Sequence, residues 1–117
     1  MTSPTRVSAS TPPAIIRQYL AAHAARDVDT ASQAFRSDAV IVDQGRTFRG
    51  TDEVLEFLRH AGAEFSYTTE LVDLAPVDDG HWVATNHLEG DFPGGVADLT
   101  YRFTIDGDRI TELTITG

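Results

Sequence analysis

The sequence predicts an α+β fold, with helices in the first half packed against a strongly bent, mainly antiparallel sheet built by the second. Three observations carry this. Apolar residues recur at helical spacing at Ile15, Ile16, Tyr19, Leu20 and Ala24, and again at Val54, Leu55, Leu58 and Ala61. From Phe65 onward the period becomes two, as Phe65, Tyr67, Thr69 and Leu71 alternate with Ser66, Thr68, Glu70 and Val72. Turn signals at Asp78-Asp79-Gly80 and Asp106-Gly107 then divide this half into strands. Three helices are too few to cover a bent sheet of four long strands. The arrangement therefore leaves a conical cavity, an exposed apolar face suited to a second copy of the chain, or both.

In order along the chain, residues 1–11 are mostly Ser, Thr, Pro and Ala with a single Arg, and read as a disordered tail ahead of a single domain over residues 12–117. Thr11 can cap the first helix, whose opening turn tolerates Pro12 and Pro13. Asp27 can cap a short second helix carrying Val28, Ala31, Ala34 and Phe35. The run Ala39-Val40-Ile41-Val42 reads as a buried strand that ends at Asp43, before a Gln44-Gly45 turn and a short return arm at Thr47-Phe48. Thr51 can cap the third helix, Asp52 and Glu53 suit its positive end, and Gly62 stops it. Long strands are expected over residues 81–89, 96–105 and 109–116, with a loop over 90–95.

Composition narrows the function classes. The chain has 117 residues, 41% of them hydrophobic, enough for one domain with a real core. Its formal net charge of −9 repels phosphate backbones and anionic lipid, so neither nucleic acid nor a membrane is an expected partner. The apolar runs are too short to span a bilayer, and the tail lacks the apolar stretch of a secretory signal, so a cytoplasmic location is expected. Cysteine is absent, which removes disulfide and thiolate chemistry. The four histidines have no ligand-type spacing, and no metal or other cofactor is expected.

Ile15-Ile16-Arg17-Gln18-Tyr19, Asp27-Val28-Asp29, Phe35-Arg36-Ser37-Asp38-Ala39, Asp43 and Phe48-Arg49-Gly50, with the closing Tyr101-Arg102-Phe103, Asp106-Gly107 and Arg109-Ile110, resemble the nuclear transport factor 2-like superfamily. Its SnoaL-like and ketosteroid-isomerase-like branches fit best. The resemblance implies a cone-shaped α+β barrel, open at one end and often dimeric through its sheet. In the steroid isomerases a helix tyrosine donates to a developing enolate and a strand aspartate shuttles the proton. The matched motifs put those roles on Tyr19 and Asp43. The second acid of those enzymes falls at Leu99 here, and strand alternation turns the neighbouring Asp98 to the other face.

The residues themselves support chemistry of that kind. A carboxylate at the rim of a buried strand must be solvated, paired or put to use, and burial raises its pKa toward that of a general base. Asp43 is thus the candidate acid/base and Tyr19 the hydrogen-bond donor, with His23 one helical turn away as a relay. On the strand 81–89, Trp82, Ala84, Asn86 and Leu88 share one face and Val83, Thr85, His87 and Glu89 the other. Alternation does not say which face looks inward. One facing makes His87 the substitute for the missing acid; the other lets Asn86 hydrogen-bond an oxyanion. Phe57, Trp82, Leu99, Tyr101 and Phe103 are candidate walls, and Asp91 stands near the expected mouth. Two functions follow: a cofactor-free isomerase, cyclase or dehydratase acting on a small apolar organic molecule, or a homodimeric module that binds such a ligand without chemistry.

Overall fold

A computed structural model describes residues 13–61 and 65–117. The elements run α1 (Ala14–Ala24), α2 (Val28–Gln33), β1 (Phe35–Asp43), β2 (Arg46–Arg49), α3 (Gly50–His60), β3 (Tyr67–Asp78), β4 (His81–Gly90), β5 (Val96–Asp106) and β6 (Arg109–Thr116). The strands form one curved, open sheet in the order β2-β1-β6-β5-β4-β3. All neighbours are antiparallel except β1 and β6, which run parallel. The register shifts between Phe35 and Val40, Leu71 and Asp73, Pro76 and Asp78, and Thr104 and Ile105. Such irregularities bend a sheet and increase its twist. Pro76 is tolerated because β3 is an edge strand.

The three helices lie on the concave face. Ile16, Tyr19 and Ala22 of α1 and Val54, Phe57 and Leu58 of α3 are buried. They meet Ile41 of β1, Ala84 of β4, Tyr101 and Phe103 of β5, and Leu113 and Ile115 of β6 in one core. On α1 the buried stripe runs through Ala22, and Ala24 at the last turn is exposed.

Local chemistry explains most boundaries. Asp27 caps α2, its carboxylate accepting the Thr30 N–H at 3.2 Å. Gln44 and Gly45 both have positive φ, the two-residue hairpin turn that matches strand twist. Three expectations are corrected. Pro13 occupies the N-cap position and α1 starts after it at Ala14; Thr11, Pro12, the expected tail and Gly62 lie outside the described residues. Phe35 opens β1 and does not extend α2, because its backbone already pairs with Ile110 of β6. Thr51 does not cap α3: its hydroxyl donates to Ser37 O at 3.4 Å, while Glu53 accepts the Arg49 N–H at 2.8 Å. No helix among the described residues is long and apolar enough to cross a membrane.

Candidate functional site

The open end of the sheet encloses a cavity of about 240 Å³. Each wall follows from the periodicity of the element that builds it. His23 comes from the last turn of α1, and Phe57 and Ala61 from one face of α3. Ala97, Leu99 and Tyr101 alternate along β5, with Leu88 of β4 and Ile115 of β6 beside them. Phe65, Tyr67 and Phe92 form the outer rim, with the Phe92 ring 6.0 Å from Phe65 and 6.4 Å from Tyr67. The strand that carries Tyr67 lies close against Gly90, where a Cβ would collide with the Ser66 carbonyl and the Tyr67 backbone. Asp91 ties the β4–β5 loop to this rim by accepting the Ser66 N–H at 2.9 Å.

Asp43 supplies the carboxylate on the cavity wall. It is half-buried at the end of β1, paired in register with Arg46 across the Gln44-Gly45 turn. Burial raises its pKa, and the Arg46 guanidinium offsets part of that. No hydrogen bond to its carboxylate forms among the described residues.

Tyr19 is fully buried, and its hydroxyl is the one buried side-chain polar atom without a partner among the described residues. Burial holds its pKa well above the ordinary value, and the oxygens of Tyr101, Asp43 and Tyr67 push it further. These three belong to the cavity wall, whereas Tyr19 itself is buried in the core and does not line the cavity. Tyr101 is likewise pushed up to about 12, first by burial; the neighbouring Asn86 side chain works against the rise. His23 is lowered to about 4, first by burial and then by the nearby Arg26 charge, so its imidazole is neutral near pH 7.

Of the sequence-derived candidates, the fold brings Asp43, Phe57, Leu99 and Tyr101 onto one cavity, and buries Tyr19 in the core, off its wall. Strand β4 turns Trp82, Ala84, Asn86 and Leu88 inward. His87 therefore faces away, its ring nitrogens 2.7 Å from Asp98 and 2.9 Å from Glu89, and it does not meet Asp43 or Tyr19. Those carboxylates raise its pKa. Trp82 and Phe103 are buried opposite each other on β4 and β5, toward the far end of the sheet, and do not line the cavity. Asn86 lies behind Tyr101, in a hollow shared with Arg17 and Leu20 of α1.

Arg26 was not foreseen. It sits in the left-handed region at φ 61°, just past α1, where the Asp27 N–H bonds Ala22 O and the Arg26 N–H bonds His23 O. This is the Schellman termination, usually made by glycine. The turn throws the Arg26 side chain across the rim, where it donates to Ala61 O at 2.6 Å and to the Tyr67 hydroxyl at 3.2 Å. Among the described residues no three His, Asp or Glu side chains cluster closely enough to hold a metal ion.

Residues 16–113 match the family model of the SnoaL-like domain. The chain belongs to the SnoaL-like family. Among solved structures, this SnoaL-like chain is 32% identical to a candidate polyketide cyclase from Sinorhizobium meliloti, with a TM-score of 0.82 over 90% of this chain and 95% of the other. It is 27% identical to a protein from Sphaerobacter thermophilus, with a TM-score of 0.76 over 87% of this chain and 91% of that one. A third protein, from Catenulispora acidiphila, shares the fold: it has a ketosteroid isomerase-like fold, was solved with trimethylamine, and is 17% identical at a TM-score of 0.78 over 92% and 87% of the two chains. No curated protein matches the sequence. The SnoaL-like fold and its small-molecule-sized pocket thus agree with the sheet topology and the cavity described above.

Proposed function

We propose that this SnoaL-like domain transfers a proton on a small, mostly apolar carbonyl compound, with Asp43 as the base and Tyr19 as hydrogen-bond donor. The observation that carries this reading is a half-buried carboxylate on the cavity wall together with an unpartnered buried phenol whose electrostatic neighbours, Tyr101 and Asp43, line that wall. In the step, Asp43 takes a proton from the carbon beside the carbonyl. The C–H electron pair moves toward the carbonyl oxygen, which becomes an enolate held by the Tyr19 hydroxyl. Asp43, now a neutral acid, returns the proton to a conjugated carbon and isomerises the ligand, or gives it to a departing hydroxyl and dehydrates it. Two groups suffice, and no cofactor enters the proposal. A neutral His23 adds a wall without adding a charge.

The likeness to a candidate polyketide cyclase favours a carbonyl-bearing ligand. One observation favours a second reading, ligand binding without chemistry: Leu99 lines the cavity where the steroid isomerases carry their second acid. The test is deuterium uptake by one- and two-ring cyclic ketones in heavy water, followed by mass spectrometry. The proton-transfer reading expects exchange that falls by about 100-fold or more in Asp43→Asn. Ketones that bind by calorimetry but do not exchange would leave the binding reading. The homodimer that the family resemblance implies stands as a proposal of the same kind, tested by sedimentation: a one-chain mass would remove it.

A further inference from the structure

We propose that the hollow between α1 and the edge strand β3 is a second ligand site. It takes a monocarboxylate with a short hydrocarbon tail, the carboxylate on Arg17 and the tail along Leu20 and Leu71. The site shares no lining residue with the cavity of Asp43 and stands independently of the proton-transfer reading.

Helix and strand periodicity build it. The buried stripe of α1 passes through Ile16, Tyr19 and Ala22. One step round the helix, Arg17, Leu20, Ala21 and Ala24 form a neighbouring stripe at three- and four-residue spacing. That stripe faces the inward side of β3, where Thr69 and Leu71 alternate and pair in register with Leu88 and Asn86 of β4. Because β3 is the last strand of the sheet, the helix leaves it largely uncovered, and Leu71 is 36% exposed. The gap is a hollow of about 350 Å³, larger than the ~150 Å³ cavity that takes a benzene molecule.

Charge and polarity give the ligand class. The chain carries 18 acidic and 9 basic residues. Three other hollows are lined by carboxylates: Asp43 in two of them, and Asp78 and Glu112 in the third. Arg17 is the one ionisable side chain on the wall of this hollow, and it forms no ion pair among the described residues. A guanidinium so placed draws an anion, and its planar fork matches a carboxylate. Asn86, only 3% exposed, brings a buried amide to the same wall, and Thr69 adds a hydroxyl. A bound carboxylate gives the N–H groups of that amide an acceptor. Leu20, Ala21, Ala24 and Leu71 offer apolar surface to a tail. A cationic head group would be repelled by Arg17.

The test titrates the isotope-labelled full chain at pH 7 with hexanoate and with the neutral 1-hexanol, followed by amide NMR shifts. Hexanoate is expected to saturate, with shifts concentrated on Arg17, Ala21, Thr69 and Leu71. Arg17→Gln is expected to weaken hexanoate about fivefold, the upper range for a solvent-exposed charge pair, and to leave the alcohol within about twofold. Leu71→Asn is expected to weaken both probes severalfold, because both tails lose the same apolar surface. Both positions are exposed, so neither change removes core packing. Shifts concentrated on Phe57 and Leu99 would place the acid in the Asp43 cavity and overturn the proposal. Equal loss of both probes in Arg17→Gln overturns the carboxylate reading, and a Leu71→Asn protein that binds both probes unchanged overturns the tail placement. A hexanoate Kd weaker than about 10 mM would mean that no site exists here.

Discussion

Tyr19 and His23, one helical turn apart on α1, stack with ring centroids 5.7 Å apart and planes inclined by 19°. His23 also lies parallel to Phe57, at 6.2 Å and 4°. A ring held among aromatic neighbours and largely removed from water cannot gain a charge cheaply, and the nearby Arg26 charge adds to the cost. The stack links the helix that carries the phenol to the helix that walls the cavity.

The first prediction concerns pH. The His23 pKa falls from 6.5 to about 4 on folding, first through burial. Between those values the unfolded chain binds the extra proton, so stability rises with pH across this window. The contribution is fully present above about pH 6.5 and is lost as pH falls toward 4; it amounts to about 3 kcal/mol when complete. His81 and His87 have raised pKa values and act with the opposite sign. Urea unfolding at pH 7 and pH 5 checks this, with a smaller pH effect expected in His23→Phe. Ring-proton NMR is expected to show His23 titrating at lower pH than His81 and His87.

Tyr19→Phe separates stability from function. The buried hydroxyl has no partner, and removing it relieves a desolvation cost. The variant is expected to be more stable by about 1 kcal/mol in urea titrations, while its ketone exchange falls. Loss of stability would mean that the hydroxyl does have a partner in the folded protein.

Arg26 predicts a backbone effect. Arg26→Gly and Arg26→Ala both lose the contacts to Ala61 and Tyr67, but only glycine accepts φ 61° freely. Arg26→Gly should melt about 4 °C above Arg26→Ala, the equivalent of about 1 kcal/mol in a domain of this size. Calorimetry of the pair measures it.

Features written in neighbouring residues were legible in the sequence. The Gln44-Gly45 and Asp106-Gly107 turns, the Asp27 cap and the alternation of Leu99, Tyr101 and Phe103 each depend on a few consecutive side chains. The start of β1 was hidden because Ala34 and Phe35 continue the helical spacing of α2; pairing with Ile110, far along the chain, decides it. The facing of β4 was hidden for a similar reason. Period two gives two faces without a sign, and only the helices lying over Ala84 and Asn86 supply it. Phe65 and Tyr67 belong to the period-two run, but Phe92, in the β4–β5 loop, reaches them through loop packing that leaves no periodic signal. Arg26 in a glycine-like turn carries no local signal, and only its reach across the rim accounts for it.

The central claim is that Asp43 is a partly desolvated carboxylate opening onto ligand space. Carboxyl carbon NMR across an acid titration tests it most directly, with Asp27, whose pKa the Thr30 hydrogen bonds lower, as the internal reference. Asp43 is expected to titrate above an ordinary aspartate, to rise further in Arg46→Gln, and to shift when a cyclic ketone fills the cavity. An Asp43 that titrates with or below Asp27 and does not respond to any bound ketone would contradict the account.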